Sequence, residues 1–596
     1  MPLPKITRIK MFADIYPDKQ AQLVRAFITV VNKNNKPIDK ILLDGDELTD
    51  YSIKIDGKPL PFTSPLIYHR AFFSFFRPKN DTAAYRLYRF EKPLAPGDTA
   101  VLEVNSSVTF KGFQNGLYAG RLLRNGTFFT GGLPELGYDD DDEIGSPYER
   151  KKAGLPPKAD EDIAQNDPEG MATLKAGKAA DLVSWDLTIS TSGDQTMISS
   201  GRLQKQWQQN GRNYFHFVQD KPGLYGPLAA VGARYAVAKD SVQLDHKVGI
   251  SVYYSPGHDE NISRYMAAYK DGLRYFSSVY GEYPFSDISL AETSEYGPRE
   301  GSFTNFDTYA EYYTWNSHFT DPNQTDYLYL TTATQLAQQW WRFQVAPNST
   351  IGSLDIPEGL STYCALVMME RKYGKDNIKG ILQDQLWPYL FIRRRMNDKE
   401  QPLIKAKEWF QWGGKQAIAL YGLRDLIGDT NINAALREFK NAYAFKNTPP
   451  YAGSNNLYSY LQKHTPDSLQ YYLTDTWQKI TLYDNKVTDV KVAPTGKNNE
   501  YKVTLKVDVA KQYINDKGDD VQAKQMNDYI DIGIFAADTK NKAGRSQVNP
   551  LYLKKYKFNY GRHTLTVTVK GKPVRVGIDP YSKLIDRNPG DNMRDM

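Results

Sequence analysis

The amino-acid sequence predicts a multidomain α+β protein: an N-terminal β-sheet domain, a central mostly helical domain and a C-terminal β-sandwich. Three observations support this prediction. Apolar residues alternate as in strands from about residue 5 to 255, recur at helical spacing from about 259 to 480, and alternate again after 485. A chain of 596 residues also exceeds the roughly 250–300 residues that one hydrophobic core can organise. We therefore expect domains at 1–257, 258–483 and 484–596.

Strand-like segments fill the N-terminal domain. Residues 21–30 and 51–55 alternate or run apolar, and the turn sequence Asn-Asn-Lys-Pro at 34–37 lies between them. An insertion at about 139–170 breaks this pattern and opens with five consecutive acidic residues at 139–143. A solvated loop is the expectation. A cation site in the acidic run is the alternative, although Ca²⁺ requires ligands spaced around a turn.

Helical spacing marks the central domain. Its first helix should end at Gly281, with Pro284 just beyond. The apolar residues of that helix, at three- and four-residue steps, are Ile262, Tyr265, Met266, Tyr269, Leu273 and Phe276. Further helices are predicted at 326–343, 358–373, 413–428 and 431–443. After residue 484, the alternating segments 501–507 and 564–569 predict a small β-sandwich.

Composition excludes several classes of protein. The 75 basic and 69 acidic residues give a net charge of +6 without a long basic run, so nucleic acid is not an expected partner. The single cysteine, Cys364, excludes an internal disulfide, and its apolar neighbours predict a buried structural thiol rather than a reactive one. No segment approaches the ~20 apolar residues of a membrane-spanning helix, and the N-terminal sequence contains no apolar signal core. We expect either a cytosolic protein or a soluble piece of a larger one.

The informative segment is Thr-Gln-Leu-Ala-Gln-Gln-Trp-Trp at 334–341, on a predicted helix, with Pro-Glu-Gly-Leu-Ser-Thr-Tyr at 357–363 on the next. This pair resembles the zinc aminopeptidases of the aminopeptidase N type, a gluzincin family, which carry HExxHQWW on one helix and a glutamate ligand in an EG-x-[AS]-x-Y context on the next. The run 419–428 is similar to the family's helix after its catalytic tyrosine. The matching residues are Ala337, Gln339, Trp340, Trp341, Glu358, Ser361 and Tyr363. The resemblance covers most of the chain and implies a thermolysin-like central domain.

Within that family, the chain most resembles the peptidase-like part of bacterial proteins that fuse an ABC transporter permease to an aminopeptidase domain. The distance from Gln338 to Glu358 is one residue longer than usual, as in that subfamily. Residues 480–485 and 577–586 are similar to its C-terminal signatures, and residues 4–17 to the start of its soluble part. The resemblance implies a membrane permease partner or a fused membrane region, on the extracytoplasmic (periplasmic) side of a bacterial membrane. A cytoplasmic location stays open.

The positions that should carry zinc chemistry differ from the family. Thr334 and Gln338 stand where the resemblance implies two histidines, and neither a hydroxyl nor a neutral amide replaces imidazole on Zn²⁺. Gln335 stands at the position of the general base, and its amide cannot take a proton from water at neutral pH. Gly413 stands at the position of the transition-state tyrosine, so only Glu358, the third ligand position, is kept. The zinc motif is degenerate, and we expect no catalytic residue, no metal and no other cofactor.

Without zinc, the Glu358 carboxylate would lack its counter-charge, and an unpaired buried charge is costly. Arg342 lies one helical turn after Gln338, where the family motif has a glycine. We expect Arg342, or failing it Lys415, to pair with Glu358 and fill the metal position. A solvated Glu358 in an open cleft is the alternative.

Other candidate residues carry less information. No two histidines lie within five residues of each other, so the sequence offers no local ligand pair; they are His69, His216, His246, His258, His318, His464 and His563. His318, the closest of them to the altered motif, is expected in a surface loop. The segment 301–305, where the family's loop for the substrate amine would fall, matches poorly. We expect 409–412 to pack in the core and 393–395 to lie on a solvated face.

These observations predict a catalytically inactive aminopeptidase-like domain that acts as a peptide- or protein-binding or transporter-associated accessory module. The alternative is an active zinc-dependent aminopeptidase that removes N-terminal residues from peptides. Only that alternative requires zinc. Metal analysis combined with an aminoacyl-amide hydrolysis assay separates the two.

Overall fold

The computed structural model describes residues 2–45, 50–69, 82–110, 121–138, 144–158, 162–219, 221–224, 228–294, 300–395, 400–515, 518–523 and 525–596. The acidic run at 139–143 lies outside these residues, so the loop or cation site expected there stays a prediction. The described parts of the insertion contain two short helices, α1 (Pro147–Lys152) and α2 (Pro168–Ala172). Where the structure describes helices, none has the length and apolar character needed to cross a membrane.

The range predicted as the N-terminal domain, residues 1–257, consists mainly of strands, as predicted. They are β1 (Lys5–Tyr16), β2 (Ala21–Val31), β3 (Ile38–Asp44), β4 (Asp50–Ile55), β5 (Lys58–Pro59), β6 (Phe62–His69), β7 (Thr82–Leu94), β8 (Thr99–Thr109), β9 (Leu122–Leu123), β10 (Gly126–Phe129), β11 (Glu135–Leu136), β12 (Leu182–Ser192), β13 (Thr196–Ser199), β14 (Arg202–Gln209), β15 (Arg212–Val218), β16 (Gly223–Leu224), β17 (Ala230–Ala233), β18 (Ala236–Gln243) and β19 (Lys247–Tyr254).

The largest sheet of this domain has the strand order β14-β15-β12-β1-β2-β8-β4-β5, with β16 beside β12. Its strands alternate between buried and exposed positions, so that β1 buries Ile9, Met11 and Ile15 on one face. Two smaller sheets, β13-β17-β10-β9 and β11-β3-β7-β6, complete the domain. The alternation seen in the sequence is therefore that of half-buried strands.

The central domain contains α3 (Ile262–Tyr280), β20 (Asp287–Thr293), β21 (Glu300–Phe303), β22 (Phe306–Ala310), α4 (Tyr327–Trp341), α5 (Pro357–Tyr373), α6 (Ile378–Arg393), α7 (Ala417–Tyr443), α8 (Ser454–Lys463) and α9 (Gln470–Leu473). Its sheet has the order β18-β19-β20-β22-β21, with β19, β20 and β22 parallel. This sheet joins strands on both sides of residue 257, so the predicted boundary at 257 cuts through it.

Close helix packing defines the core of the central domain. Helix α3 ends at Gly281, as predicted, and buries Tyr269, Leu273 and Phe276. Its Gly272 allows α4 to approach closely, because a Cβ at that position would lie 2.5 Å from Leu336 Cδ2. The aromatic side chain of Trp340 packs edge-on against Phe276. The α3–α4 interface therefore positions the helix that carries residues 334–341.

The two helices predicted at 413–428 and 431–443 form one helical segment in the structure. Residues 411–416 make a π-helical turn, and α7 continues from Ala417 to Tyr443. Gly428, with φ of 81°, interrupts α7 at the junction that the sequence indicated. Only a residue without a Cβ adopts this backbone conformation at little cost.

The C-terminal domain contains β23 (Thr481–Tyr483), β24 (Lys486–Pro494), β25 (Glu500–Val509), β26 (Lys511–Ile514), β27 (Asp520–Gln522), β28 (Asp528–Lys540), β29 (Ser546–Phe558), β30 (Gly561–Lys570), β31 (Arg575–Ile578) and β32 (Met593–Asp595). They form three sheets, β23-β26-β27, β24-β25-β30 and β29-β28-β31-β32. Their apolar faces share one core with the helices of the central domain. The predicted α+β multidomain fold class is confirmed.

Candidate functional site

A cavity of about 550 Å³ lies between the N-terminal and central domains, at the N-terminal end of α5 and along β21. Gln335 and Gln338 of α4 and Glu358 of α5 line it. We call this cavity the cleft. It brings together three of the five positions at which the family resemblance implies zinc chemistry.

Helix α4 positions the first set of these residues. Asp326 caps the helix, because its Oδ1 accepts from the Tyr329 amide at 2.9 Å. Gln335 and Gln338 are nearly buried, and Gln335 Oε1 has no hydrogen-bond partner among the described residues. The Thr334 hydroxyl donates to the Leu330 carbonyl at 2.9 Å, so it serves its own helix and does not line the cleft. Helix α4 therefore contributes the side-chain amides of Gln335 and Gln338 to the lining of the cleft.

The first turn of α5 contributes Glu358, where the family resemblance implies a metal ligand. Pro357 begins the helix, and Glu358 follows it in the first turn. Arg342, the C-cap residue of α4, donates from Nη2 to Glu358 Oε1. The side chains of Arg342 and Glu358 are 35% and 28% exposed, so water still reaches the pair. The guanidinium thus contacts the carboxylate beside Gln338, with Arg342 also lining the cleft.

Lys415, expected to pair with Glu358 only if Arg342 did not, has a different partner. Its side chain is buried, and Nζ donates to Glu400 Oε1 at 2.8 Å. Glu400 also accepts from Arg393 Nε at 3.0 Å and from the Tyr389 hydroxyl at 2.7 Å. Burial lowers the pKa of Lys415, and the Glu400 carboxylate opposes that shift. Lys415 is a core cation with its own counter-ion.

Gly413 lies in the π-helical turn and does not line the cleft. A Cβ at Gly413 would have no heavy atom of the described residues within 4 Å. Trp409, predicted to pack in the core, is 56% exposed, whereas Trp412 packs against the core partly buried. Of the three arginines predicted on a solvated face, Arg394 and Arg395 are exposed, whereas Arg393 is mostly buried and pairs with Glu400. Neither tryptophan takes the place of the missing tyrosine.

The segment that matched the family poorly forms one side of the cleft. Residues 300–304, which include β21, line the cleft next to α4. Gln339 holds the segment to α4, because its Oε1 accepts from the Asn305 amide at 2.8 Å and its Nε2 donates to the Phe303 carbonyl at 2.9 Å. Strand β21 is the last strand of the described sheet. One side of β21, whose residues line the cleft, therefore has no neighbouring strand in the described part of the chain.

Sequence reasoning missed several residues of the cleft. Lys175, Trp185 and Gln219 of the N-terminal domain line it, although they lie more than a hundred residues before the motif. Behind the lining, on the neighbouring strand β22, the buried Asp307 accepts from the hydroxyls of Ser302 and Tyr269, each at 2.7 Å. Burial raises the pKa of Asp307 to about 7, although both hydroxyl hydrogen bonds act in the opposite direction. No pattern in the sequence marks these positions, since only the tertiary fold joins them to the motif.

Two single-residue predictions are confirmed. His318 lies on the surface with its side chain 71% exposed, where Nδ1 is 2.9 Å from Glu260. Cys364 is buried, and burial raises the pKa of its thiol to about 12. A thiol with that pKa remains protonated at neutral pH and is a poor nucleophile.

The donor groups of the cleft do not match those that zinc takes in proteins. Zinc is bound by imidazole, thiolate and carboxylate groups in sets of three or four. Among the described residues that line the cleft, there is no histidine or cysteine; the carboxylates are those of Glu300 and Glu358, and Glu358 is already engaged by Arg342. Gln335 and Gln338 offer only neutral amide oxygens.

The architecture is that of the M1 zinc metallopeptidases, which are gluzincin aminopeptidases. The M1 zinc metallopeptidase of Deinococcus radiodurans superposes with a TM-score of 0.52 at 16% identity, over 79% of this chain and 94% of that one. Aminopeptidase A of Legionella pneumophila, solved with aspartic acid, gives a TM-score of 0.57 at 14% identity, over 98% of this chain and 59% of that one. No family model and no curated protein sequence matches the chain. At these identities the likeness establishes the fold.

Proposed function

We propose that this chain is a catalytically inactive, aminopeptidase-shaped module that binds a peptide or an extended segment of a partner protein in its cleft. The contact between Arg342 and Glu358 carries the proposal, because it places a protein cation on the one carboxylate that the zinc motif keeps. In this proposal the guanidinium takes the place of the metal, and the cleft needs no cofactor.

The residue chemistry around this contact supports an inactive cleft. Hydrolysis of a peptide bond on this fold requires a group that removes a proton from water, and Gln335 cannot accept one. A tyrosine hydroxyl would stabilise charge on the reacting carbonyl oxygen, and Gly413 has no side chain to do so. Binding requires none of these groups.

The cleft has the features that suit an extended peptide. Strand β21 offers a backbone edge at one side, and an added strand gains main-chain hydrogen bonds there. Lys175 and Arg342 supply positive charge, and Glu300 and Glu358 supply negative charge. Trp185 and Phe303 supply apolar surface, so an extended peptide with an apolar side chain complements the lining.

A peptide-binding and hydrolysis experiment tests the proposal. Fluorescent peptides of varied sequence should bind the purified protein, and Arg342→Ala should change their affinity. Aminoacyl-amide substrates should not be cleaved, with or without added zinc. Turnover that EDTA abolishes and that Glu358→Gln also abolishes would establish the rival function, an active zinc aminopeptidase. A variant such as Arg25→Ala, on the N-terminal sheet, controls for unspecific effects of removing an arginine.

We also propose that the module acts with a membrane permease, on the extracytoplasmic side of a bacterial membrane. This proposal rests on the sequence resemblance to permease–aminopeptidase fusion proteins. Compartment fractionation and co-purification with a permease encoded in the same or an adjacent reading frame test it. Recovery of the protein in the cytoplasm, without any permease, would contradict it.

A further inference from the structure

Three side chains of metal-binding type meet at the edge of the central sheet, away from the cleft. They are His258, Glu292 and Glu311. Strands β19, β20 and β22 are parallel neighbours, so their carboxyl ends lie at one edge. His258 follows β19, Glu292 lies near the end of β20, and Glu311 follows β22 directly. The topology therefore brings together residues that are far apart in sequence.

The three side chains are close enough to share one ion. One ligand atom from each lies within 4.8 Å of the others. His258 Nδ1 is 2.6 Å from Glu292 Oε1. Glu292 is 2% exposed, whereas His258 and Glu311 are half-buried, so solvent reaches one side of the cluster.

The backbone around the cluster is held firmly. The Ser255 amide donates to Glu292 Oε2 at 2.7 Å, which fixes the carboxylate. The Tyr235 hydroxyl donates to the Glu292 carbonyl at 2.5 Å. The Glu311 amide donates to the Thr293 carbonyl at 2.9 Å. Because these hydrogen bonds already restrain the ligands, the ligands lose little conformational entropy when an ion binds.

The charge of the cluster favours a cation. Glu292 and Glu311 bring two carboxylates within 4.8 Å of each other, so a bound cation would offset their repulsion.

We propose that His258, Glu292 and Glu311 bind a divalent transition-metal ion, with Zn²⁺ as the best fit. One imidazole and two carboxylates are a zinc-type ligand set, whereas Ca²⁺ takes six to eight oxygen ligands. Ligands of a tetrahedral zinc lie about 3.3 Å apart, so side-chain rotation must open the His258–Glu292 contact and draw Glu311 inward. The ion ties the connection between β19 and α3 to the ends of β20 and β22. It is separate from the cleft and does not depend on the proposed binding function.

Metal titration of the full chain tests this site. After removal of metals with a chelator, Zn²⁺ is titrated by calorimetry, and Co²⁺ by its visible absorption spectrum. The wild-type protein should bind one equivalent of Zn²⁺, and its melting temperature should rise. With Co²⁺ it should give the visible absorption spectrum of an ion with four ligands. Ca²⁺ should not compete. His258→Asn and Glu311→Gln should each weaken zinc binding about tenfold or more and remove the cobalt spectrum.

Two control variants keep the test specific. His318→Asn removes another histidine that faces a glutamate, and it should bind zinc as the wild type does. Glu358→Gln removes the cleft carboxylate and should also leave the titration unchanged. Unchanged zinc binding in folded His258→Asn and Glu311→Gln would overturn the site, and so would a wild-type protein that binds no zinc. Loss of binding in Glu358→Gln alone would place the ion in the cleft and overturn both proposals.

Discussion

Arg342 donates from Nη2 to Oε1 of Glu358, so the end of α4 and the first turn of α5 are joined beside the cleft. On the family's helices these two positions carry a glycine and a metal ligand, as the sequence resemblance implies. A guanidinium is planar, always charged, and suited to a carboxylate. The consequences of this pair can be measured directly.

The Arg342–Glu358 pair should show a coupling energy in a double-mutant cycle. With both side chains about one-third exposed, we expect about 0.5–1 kcal/mol between Arg342→Ala and Glu358→Ala. Chemical unfolding of the four proteins measures it. The same cycle on Arg25 and Glu103, a pair at 3.0 Å on the N-terminal sheet, provides a reference. A coupling of zero for Arg342 and Glu358 would contradict the ion pair.

Restoring the family's ligands should restore zinc binding at the cleft only when the guanidinium is also removed. Thr334→His together with Gln338→His places two imidazoles one helical turn apart, next to Glu358. We expect this double variant to gain no zinc, and the triple variant with Arg342→Gly to gain one equivalent. Metal analysis after dialysis measures the gain.

Adding Glu358→Gln to that triple variant provides the control and should abolish the added equivalent. Equal zinc binding by the double and triple variants would show that Arg342 does not oppose the metal. Comparison with the unsubstituted protein separates the new site from any zinc held elsewhere.

Gln339 should be needed to order the side of the cleft formed by residues 300–305. Gln339→Ala removes the hydrogen bonds from Gln339 to the Asn305 amide and the Phe303 carbonyl. Each lost hydrogen bond should lower the free energy of unfolding by about 1–3 kcal/mol where water cannot replace the side chain. Hydrogen exchange by mass spectrometry should show faster exchange in this segment. Gln206→Ala, an exposed position on β14, is the control. Unchanged exchange in Gln339→Ala would contradict this role.

Asp425 should make stability depend on pH in the acid range. Its Oδ2 is 2.5 Å from Lys583 Nζ. Burial acts to raise its pKa, but the charges of Lys583 and Lys555 outweigh burial and lower the pKa to about 2. Because the folded pKa lies below the unfolded value of about 3.9, the stabilisation is full above that value and is lost as pH falls through about 2.

Asp425→Asn should therefore reduce the free energy of unfolding by about 2 kcal/mol at pH 5–7, and by less at pH 3. Denaturant unfolding at several pH values measures this difference. Asp194→Asn, at an exposed pair with Arg234, should change unfolding little at any pH. A pH-independent effect of Asp425→Asn would show that the lysine charges do not set its pKa.

The sequence predicted which helices border the cleft, but it did not predict which residues of the N-terminal domain line it. The four-residue step from Thr334 to Gln338 and the later Glu358 place the motif on two helices, and the fold sets those helices side by side. Lys175 and Trp185 could not be predicted, because nothing local links them to α4. Lys415 was expected as the second candidate partner of Glu358, yet it pairs with the buried Glu400. Competition between counter-ions is decided by tertiary packing.

Strand assignment to a sheet was also beyond the sequence. The alternating pattern of β18 and β19 is the same as that of the strands before them, and it does not say which sheet they enter. Only pairing with β20 assigns both to the central domain. Alternation of apolar and polar residues indicates that one face of a strand is buried. It does not indicate which strand lies beside it.

The sheet that crosses residue 257 bears on how the protein can be divided for experiments. An expression fragment that started at 258 would lose β18 and β19 and uncover the hydrogen-bonding groups along one side of β20. An unpaired strand edge of this kind can pair with strands of other molecules, so such a fragment should aggregate and precipitate. A fragment of the central domain intended for crystallisation or for metal titration should therefore begin before Ala236, so that it includes both β18 and β19.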